Sequence, residues 1–297
     1  MVERLLRLAD LPRLDWFGPA ADWYYSPMES PMPVSNARTA MTLHDVAIFE
    51  EGLPWSRSAS NIRAQKTGMV WVPRALRRVD RILTVSEFSR RRMVEMFNAD
   101  YDRICVVGNG VEDIFFETGA IARKEVIEKR DEVVVLGGLR YKKGAEHVFD
   151  VADALKRRGS TLRIVVIGQS EPAYISRAQS FPNIDVLGML PDEVVAQRLA
   201  HARALMLLSL YEGFGIPVLE AMACGTVAVA SNIASLPEVV GDAGLVFDPA
   251  NADEIAASLA ELRTNSSLHD DLVNRGFARS QNFTWDSCVE RLTGALQ

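Results

Sequence analysis

The stretch LLSLYEGFGIPVLEAMACGTVAV, Leu207 to Val229, decides how this chain folds. An apolar run ends near Leu208, a Gly-Phe-Gly-Ile-Pro turn follows, and Pro217 suits a first helical position, where its missing N–H loses nothing. Strand, turn and helix in that order form the βα unit of a parallel sheet, whose ligands sit where strands give way to helices. Two glutamates, Glu212 and Glu220, flank the turn. Gly213 and Gly215 allow close backbone approach to a ligand, and the helix start favours an anion such as pyrophosphate. An ionised Glu220 one turn on offers only acceptors, which match the paired hydroxyls of a ribose. A loop charge at Glu212 and a dipole-compensating charge at Glu220 would explain the same spacing, so spacing alone leaves both readings open.

Outward from this unit, β-branched runs alternate with amphipathic segments along the whole chain. Strands are expected at Trp23–Tyr25, Thr39–Leu43, Arg81–Val85 and Ile104–Val107 in the first half. In the second half they are expected at Val133–Leu136, Leu162–Ile167, Ile184–Leu187, Ala204–Leu208, Val227–Ala230 and Leu245–Phe247. The charged segment Glu112 to Asp131 lacks a strand pattern, which places a domain boundary in it. The expected division is 1–115, then 116–283, with a last helix over 284–297 that carries Cys288, Val289, Leu292 and Leu296 at helical spacing and crosses back to the first domain.

The chain has 297 residues, 48% of them apolar and 24% charged, which is the composition of a globular protein with room for two cores. The longest apolar runs fall far short of the roughly 20 residues that cross a bilayer. The opening MVERLLRLADLPRLDWF mixes charges with leucines and reads against a secretory leader, so a cytosolic location is expected. Three widely spaced cysteines argue against disulfides and structural zinc. The net charge of −6 argues against nucleic acid as a partner.

The segment YEGFGIPVLEAMACGTVAVASNIASLPEVVGDAGLVFDP, Tyr211 to Pro249, closely resembles the donor-binding signature of the family 4 retaining glycosyltransferases. TLHDVAIF, PRALRRVDRILTVSEFSRRRM, VVGNGVEDIFF and LGGLRYKKGAEHV resemble further family segments in the expected order. The resemblance runs from about Trp23 to the end of the chain. It implies an α/β chain of the GT-B fold, two Rossmann-like domains with parallel sheets, the first of them shortened.

By that resemblance, Glu212 and the main chain of Phe214 and Gly215 hold the transferred sugar, and Glu220 the ribose. Lys143, with Arg140 and the helix start at Ile216, would take the diphosphate and stabilise its departure. Met189 and Leu190 would meet the base, and His44 would face the donor sugar. Pattern and family part at Gly138, where many relatives carry arginine; Arg140 or Lys142 stands as a substitute, or both are solvated charges. Pro237 and Glu238 fit either a ligand contact or a turn, and Asp45 fits a cap better than an acid. A literal D-x-D at Asp100 and Asp102 precedes its strand and reads as a surface turn, so no metal and no cofactor is expected.

The resemblance implies transfer of a hexose or deoxyhexose, with mannose or rhamnose favoured, from a nucleotide diphosphate sugar to a hydroxyl on a glycan or lipid-linked acceptor. Family members carry a glycine-rich loop and further βα units ahead of the counterpart of Trp23, which opens a second reading: a donor-binding subunit completed by a partner chain or a second copy. An epimerase or hydrolase on the same fold is a third; a glycosidase, for which two flanking carboxylates are the usual sign, fits a phosphate-type site poorly. Arg63, Lys66, Arg74, Arg77, Arg78 and Arg81 form a basic stripe opposite Ile62, Met69, Val72, Leu76 and Val79. It reads as a solvated helix face or as a peripheral contact with anionic lipid.

Overall fold

The computed structural model describes residues 20–28, 33–50, 53 and 59–297. The opening segment read above against a leader lies outside the described residues up to residue 19. By internal contacts the chain divides into two units: the residues up to Gly108 with Cys288–Gln297, and Asn109–Ser287. Each contains one parallel sheet.

In the first unit β1 (Trp23–Ser26), β2 (Arg38–Thr42), β3 (Arg81–Thr84) and β4 (Ile104–Val106) lie side by side in chain order, all parallel. Right-handed crossovers that always step in one direction place their helices on one face of a sheet. The helices Ala59–Arg78 and Glu87–Phe97 cover that face, with Val72, Leu76, Val79, Met93 and Phe97 packed on Met41, Ile82 and Ile104. Ser86 starts the second of these helices by accepting the Ser89 N–H at 3.0 Å, and Asn98, left-handed at φ 51°, stops it.

Strand side chains alternate between faces, so Leu83 and Cys105, next to Ile82 and Ile104, point the other way. The terminal helix Trp285–Ala295 covers them: Cys288, Leu292 and Ala295 meet Tyr25, Leu83, Cys105 and Val107. Val289, expected on the same apolar stripe, is 55% exposed. It follows Cys288 by one residue and so sits about 100° round the helix from the packed row.

The basic stripe is also redrawn. Val72, Leu76 and Val79 are buried as expected, but Ile62 and Met69 are 40% and 47% exposed. Ile62 and Met69 thus stay exposed on the face that the end of the helix Ala59–Arg78 buries, and Val70 is exposed as well. Arg81, expected as the last member of the stripe, lies instead at the start of β3, beyond the end of the helix at Arg78.

In the second unit the strands are β5 (Arg130–Leu136), β6 (Arg163–Ile167), β7 (Ile184–Gly188), β8 (Ala202–Leu207), β9 (Val227–Ser231) and β10 (Leu245–Phe247). They are parallel in the order β10-β9-β8-β5-β6-β7. The chain builds from β5 out to β7, returns to the free side of β5 as β8, and builds outward to β10. Direction therefore reverses between β5 and β8, and the loops leaving those neighbours diverge and open a crevice at their carboxyl ends. Val133, Val135, Ile164, Val166 and Met206 form the core under the helices Ala145–Arg157 and Ala252–Thr264. The charged segment without a strand pattern forms the helix Asp113–Glu125, which buries Phe115, Gly119 and Ala122 within this unit.

Candidate active site

The crevice is built by the loop after β5 and the loop after β8. Lys143, in the first, places its Nζ 2.6 Å from Glu212 Oε1, in the second. Ser209, fully buried at the end of β8, donates its hydroxyl to the same oxygen at 2.6 Å. The main chain ties the two loops together, since the Leu210 N–H donates to the Lys142 carbonyl at 2.9 Å. Gly144 makes that approach possible: its φ is +73°, and a Cβ there would run into the carbonyl oxygen of Leu208.

The same geometry settles what Gly138 can be. Its φ is +74°, and a Cβ would strike the Gln169 carbonyl, so no arginine fits this backbone. Neither proposed substitute is committed to the crevice in its place. Arg140 is exposed, and its Nε donates to the Gly137 carbonyl at 3.2 Å. The ammonium of Lys142 lies 5.4 Å from the centre of the Tyr211 ring.

After Glu212 the chain turns through Phe214 and Gly215 into the helix Ile216–Ala223. Phe214 is buried edge-on to Phe283, with ring centres 5.8 Å apart, which leaves its main chain to face the turn. The Ser235 hydroxyl is within hydrogen-bonding reach of the carbonyls of Glu212 and Phe214, at 2.9 and 2.8 Å, and so pins the turn from behind. Ser231 donates to the Ser209 carbonyl at 2.7 Å. Among the described residues the N–H groups of Phe214, Gly215 and Ile216 make no hydrogen bond, and Pro217 has none to offer. Three successive amides at a helix start thus point toward an anion-binding position.

Glu220 lies one turn into that helix, partly buried, and among the described residues its carboxylate has no hydrogen-bond partner. Burial pushes its pKa up to about 7, and the nearby charges of Asp192 and Glu112 push in the same direction. Asp192 opens the helix that follows Met189 and Leu190, so the loop after β7 lies on the Glu220 side of the site. Met189 is 76% exposed. At the far end of the helix Ile216–Ala223, Lys129 donates to the carbonyls of Ala200 and Gly225 at 2.7 and 2.8 Å. One ammonium thereby caps two helix ends, and burial lowers its pKa to about 8.

The structure therefore brings together Lys143, Glu212, Phe214, Gly215 and Ile216, with Glu220 one turn along. His44 is exposed at the carboxyl end of β2, in the first unit. Its neighbour Asp45 accepts the Ala47 N–H at 2.8 Å and so serves as a local cap. Asp100 accepts the Asp102 N–H at 3.1 Å within a surface turn. Pro237 lies in the first turn of the short helix Leu236–Val240 and is exposed. Sequence reasoning missed Ser209, Ser231, Ser235 and Lys129. The signal available for the first two was a small hydroxyl residue at the end of an apolar strand, a position common to many parallel sheets.

A parallel sheet with a reversal, a cation and a carboxylate facing each other across it, and open amides at a helix start define a site for an anionic, hydroxyl-bearing ligand. Comparison with known proteins gives the class. Residues 118–279 match the model of the glycosyl transferases group 1, more than half of the chain, and residues 6–113 match that of glycosyltransferase family 4. The chain belongs to the glycosyl transferases group 1 and is a glycosyltransferase.

Among curated relatives, O-antigen chain mannosyltransferase B of Escherichia coli is 29% identical over 289 residues, 93% of this chain and 74% of that one. D-inositol 3-phosphate glycosyltransferase of Acidothermus cellulolyticus is 32% identical over 239 residues, 73% of this chain. The chain spans 53% of the length of that second relative. Among solved structures, Anabaena HepE in complex with UDP-glucose superposes with a TM-score of 0.72 at 17% identity, over 99% of this chain and 81% of the other. The fold is that of the GT-B glycosyltransferases, with Rossmann-like units built on parallel sheets.

Proposed function

We propose that this protein transfers a hexose or deoxyhexose, mannose in the first place, from a nucleotide diphosphate sugar to a hydroxyl of a glycan or lipid-linked acceptor, with retention of configuration. The observation that carries the reading is the pairing of Lys143 with Glu212 across the reversal between β5 and β8. There Lys143 and the amides of Gly215 and Ile216 would hold the diphosphate and stabilise the charge that grows on it as the glycosidic bond breaks. Glu212 would accept hydrogen bonds from the transferred sugar, and Glu220 from the ribose 2′ and 3′ hydroxyls. Met189 and Leu190 would meet the base through their main chain, which explains why the side chain of Met189 is left exposed.

Mannose is favoured because a curated relative matched over most of this chain is named a mannosyltransferase. With Lys143 and helix amides at the diphosphate, catalysis would need no divalent ion and no cofactor. Among the described residues no helix is long and apolar enough to cross a membrane. The exposed Val70, set among Arg63, Lys66 and Arg74, would suit a peripheral contact with an anionic surface.

Product analysis with radiolabelled GDP-mannose and other nucleotide sugars, with and without EDTA, tests this. Label should pass to an acceptor hydroxyl with unchanged anomeric configuration, at the same rate in EDTA. Release of free sugar alone, or an epimerised nucleotide sugar, would contradict it.

A further inference from the structure

The pair that marks the site also works against part of its ligand. The proposed reading assigns Lys143 to the diphosphate, yet its Nζ already lies 2.6 Å from Glu212 Oε1, and both side chains are largely covered, at 19% and 13% exposure. Ser209 holds the same carboxylate oxygen at 2.6 Å, so Glu212 is fixed in place. An ammonium has three N–H donors, and among the described residues Lys143 uses one of them. A phosphate oxygen can therefore join Lys143 without displacing Glu212, but it then sits within a few ångström of a fixed negative charge.

Donor and spent nucleotide differ in their response to that charge. In transfer, the bond between the anomeric carbon and the phosphate oxygen breaks and the oxygen keeps the electron pair. The acceptor oxygen bonds to the carbon, and the acceptor's proton passes to solvent. The diphosphate ends with one more negative charge than it had in the donor, and the sugar hydroxyls that satisfied Glu212 leave with the product.

We infer that Glu212, held against Lys143 by Ser209, discriminates between a nucleotide sugar and a nucleoside diphosphate. It accepts hydrogen bonds from the sugar while the donor is bound and repels the diphosphate once the sugar has gone, which speeds release of the spent nucleotide. This inference rests on the proposed function, because it needs the diphosphate on Lys143.

Calorimetric titration of the full chain with inorganic pyrophosphate, UDP and GDP tests it. Glu212→Gln removes the charge and keeps an oxygen for Lys143 and Ser209; Glu212→Ala removes both. Each neutral variant should bind these probes on the order of tenfold more tightly, the scale of one like charge a few ångström away in a partly covered site, while transferring sugar more slowly. Glu212→Asp, which keeps the charge, should stay within about twofold of the wild type. Thermal unfolding without ligand identifies a variant that has lost its fold, and Glu212→Gln, close in shape, then carries the comparison. If the wild type binds the probes and the neutral variants bind them equally or more weakly, discrimination by Glu212 is overturned and the proposed function stands. If neither the wild type nor the neutral variants bind any of the three, the proposed function falls, and the inference with it.

Discussion

The two parallel sheets of this chain differ in one respect that decides where chemistry can occur. In the first, β1 to β4 follow one another in space as they do in sequence; in the second, the order turns back between β5 and β8. A sheet that grows one way places its crossover helices on one face and needs something else to cover the other. A sheet that reverses sends neighbouring loops apart and opens a crevice at its carboxyl edge. The first unit uses its terminal helix for cover, whereas the second fills its crevice with Lys143, Glu212 and the start of the helix Ile216–Ala223. One sheet is thus built around a packing need and the other around a binding site.

The largest effect should come from removing the cover. Deletion of Cys288–Gln297 bares Tyr25, Leu83, Cys105 and Val107 and should destabilise the first unit by roughly 4 kcal/mol. Limited proteolysis should then cut within the first sheet while Asn109–Ser287 resists. Equal resistance of both units would break the contrast drawn between the sheets.

Glu220 should give the next largest effect, with a sign that depends on pH. Its folded pKa of about 7 lies above the ordinary 4.5, so between those values the folded state holds the proton more tightly than the unfolded state. Stability is then full at low pH and falls as pH rises through that window, by about 3 kcal/mol in all. Glu220→Gln should raise the unfolding free energy at pH 8 and leave it unchanged at pH 4, as read by urea denaturation. The same substitution should weaken binding of UDP or GDP at pH 8 and abolish the rise in wild-type affinity as the carboxyl ionises near pH 7. A gain in stability that is the same at both pH values would show that Glu220 is not held as described.

The smallest effect is that of Ser209→Ala, which frees one side of the Glu212 carboxylate. The loss of that hydrogen bond is worth about 1 kcal/mol and should appear as a several-fold fall in kcat/KM with little change in melting temperature.

Most of the fold could be read from the amino-acid pattern, because strands buried on both faces are short apolar runs whose identity does not depend on their neighbours. All ten expected strands are present, with ends displaced by at most three residues. Sequence periodicity misjudged Ile62, Met69 and Val289 because it records which residues share a face of a helix but not how far the partner surface extends beneath it. In the candidate site, the turn from Glu212 to Ile216 and the place of Glu220 were visible as a local motif. The contact between Lys143 and Glu212 was not, since 69 residues separate them and only the reversal of the sheet makes their loops neighbours. Ser209 and Ser235 were hidden for the same reason: a serine near a strand end acquires its meaning from the loop that packs over it.

The central claim is that the diphosphate binds at the reversal of the second sheet. A crystal structure with bound UDP or GDP tests it most directly. Diphosphate oxygens within hydrogen-bonding distance of Lys143 Nζ and the Gly215 and Ile216 amides, with the ribose hydroxyls on Glu220, are the expected result. A diphosphate bound instead at the carboxyl edge of the first sheet, or at the second sheet away from Lys143, would contradict it.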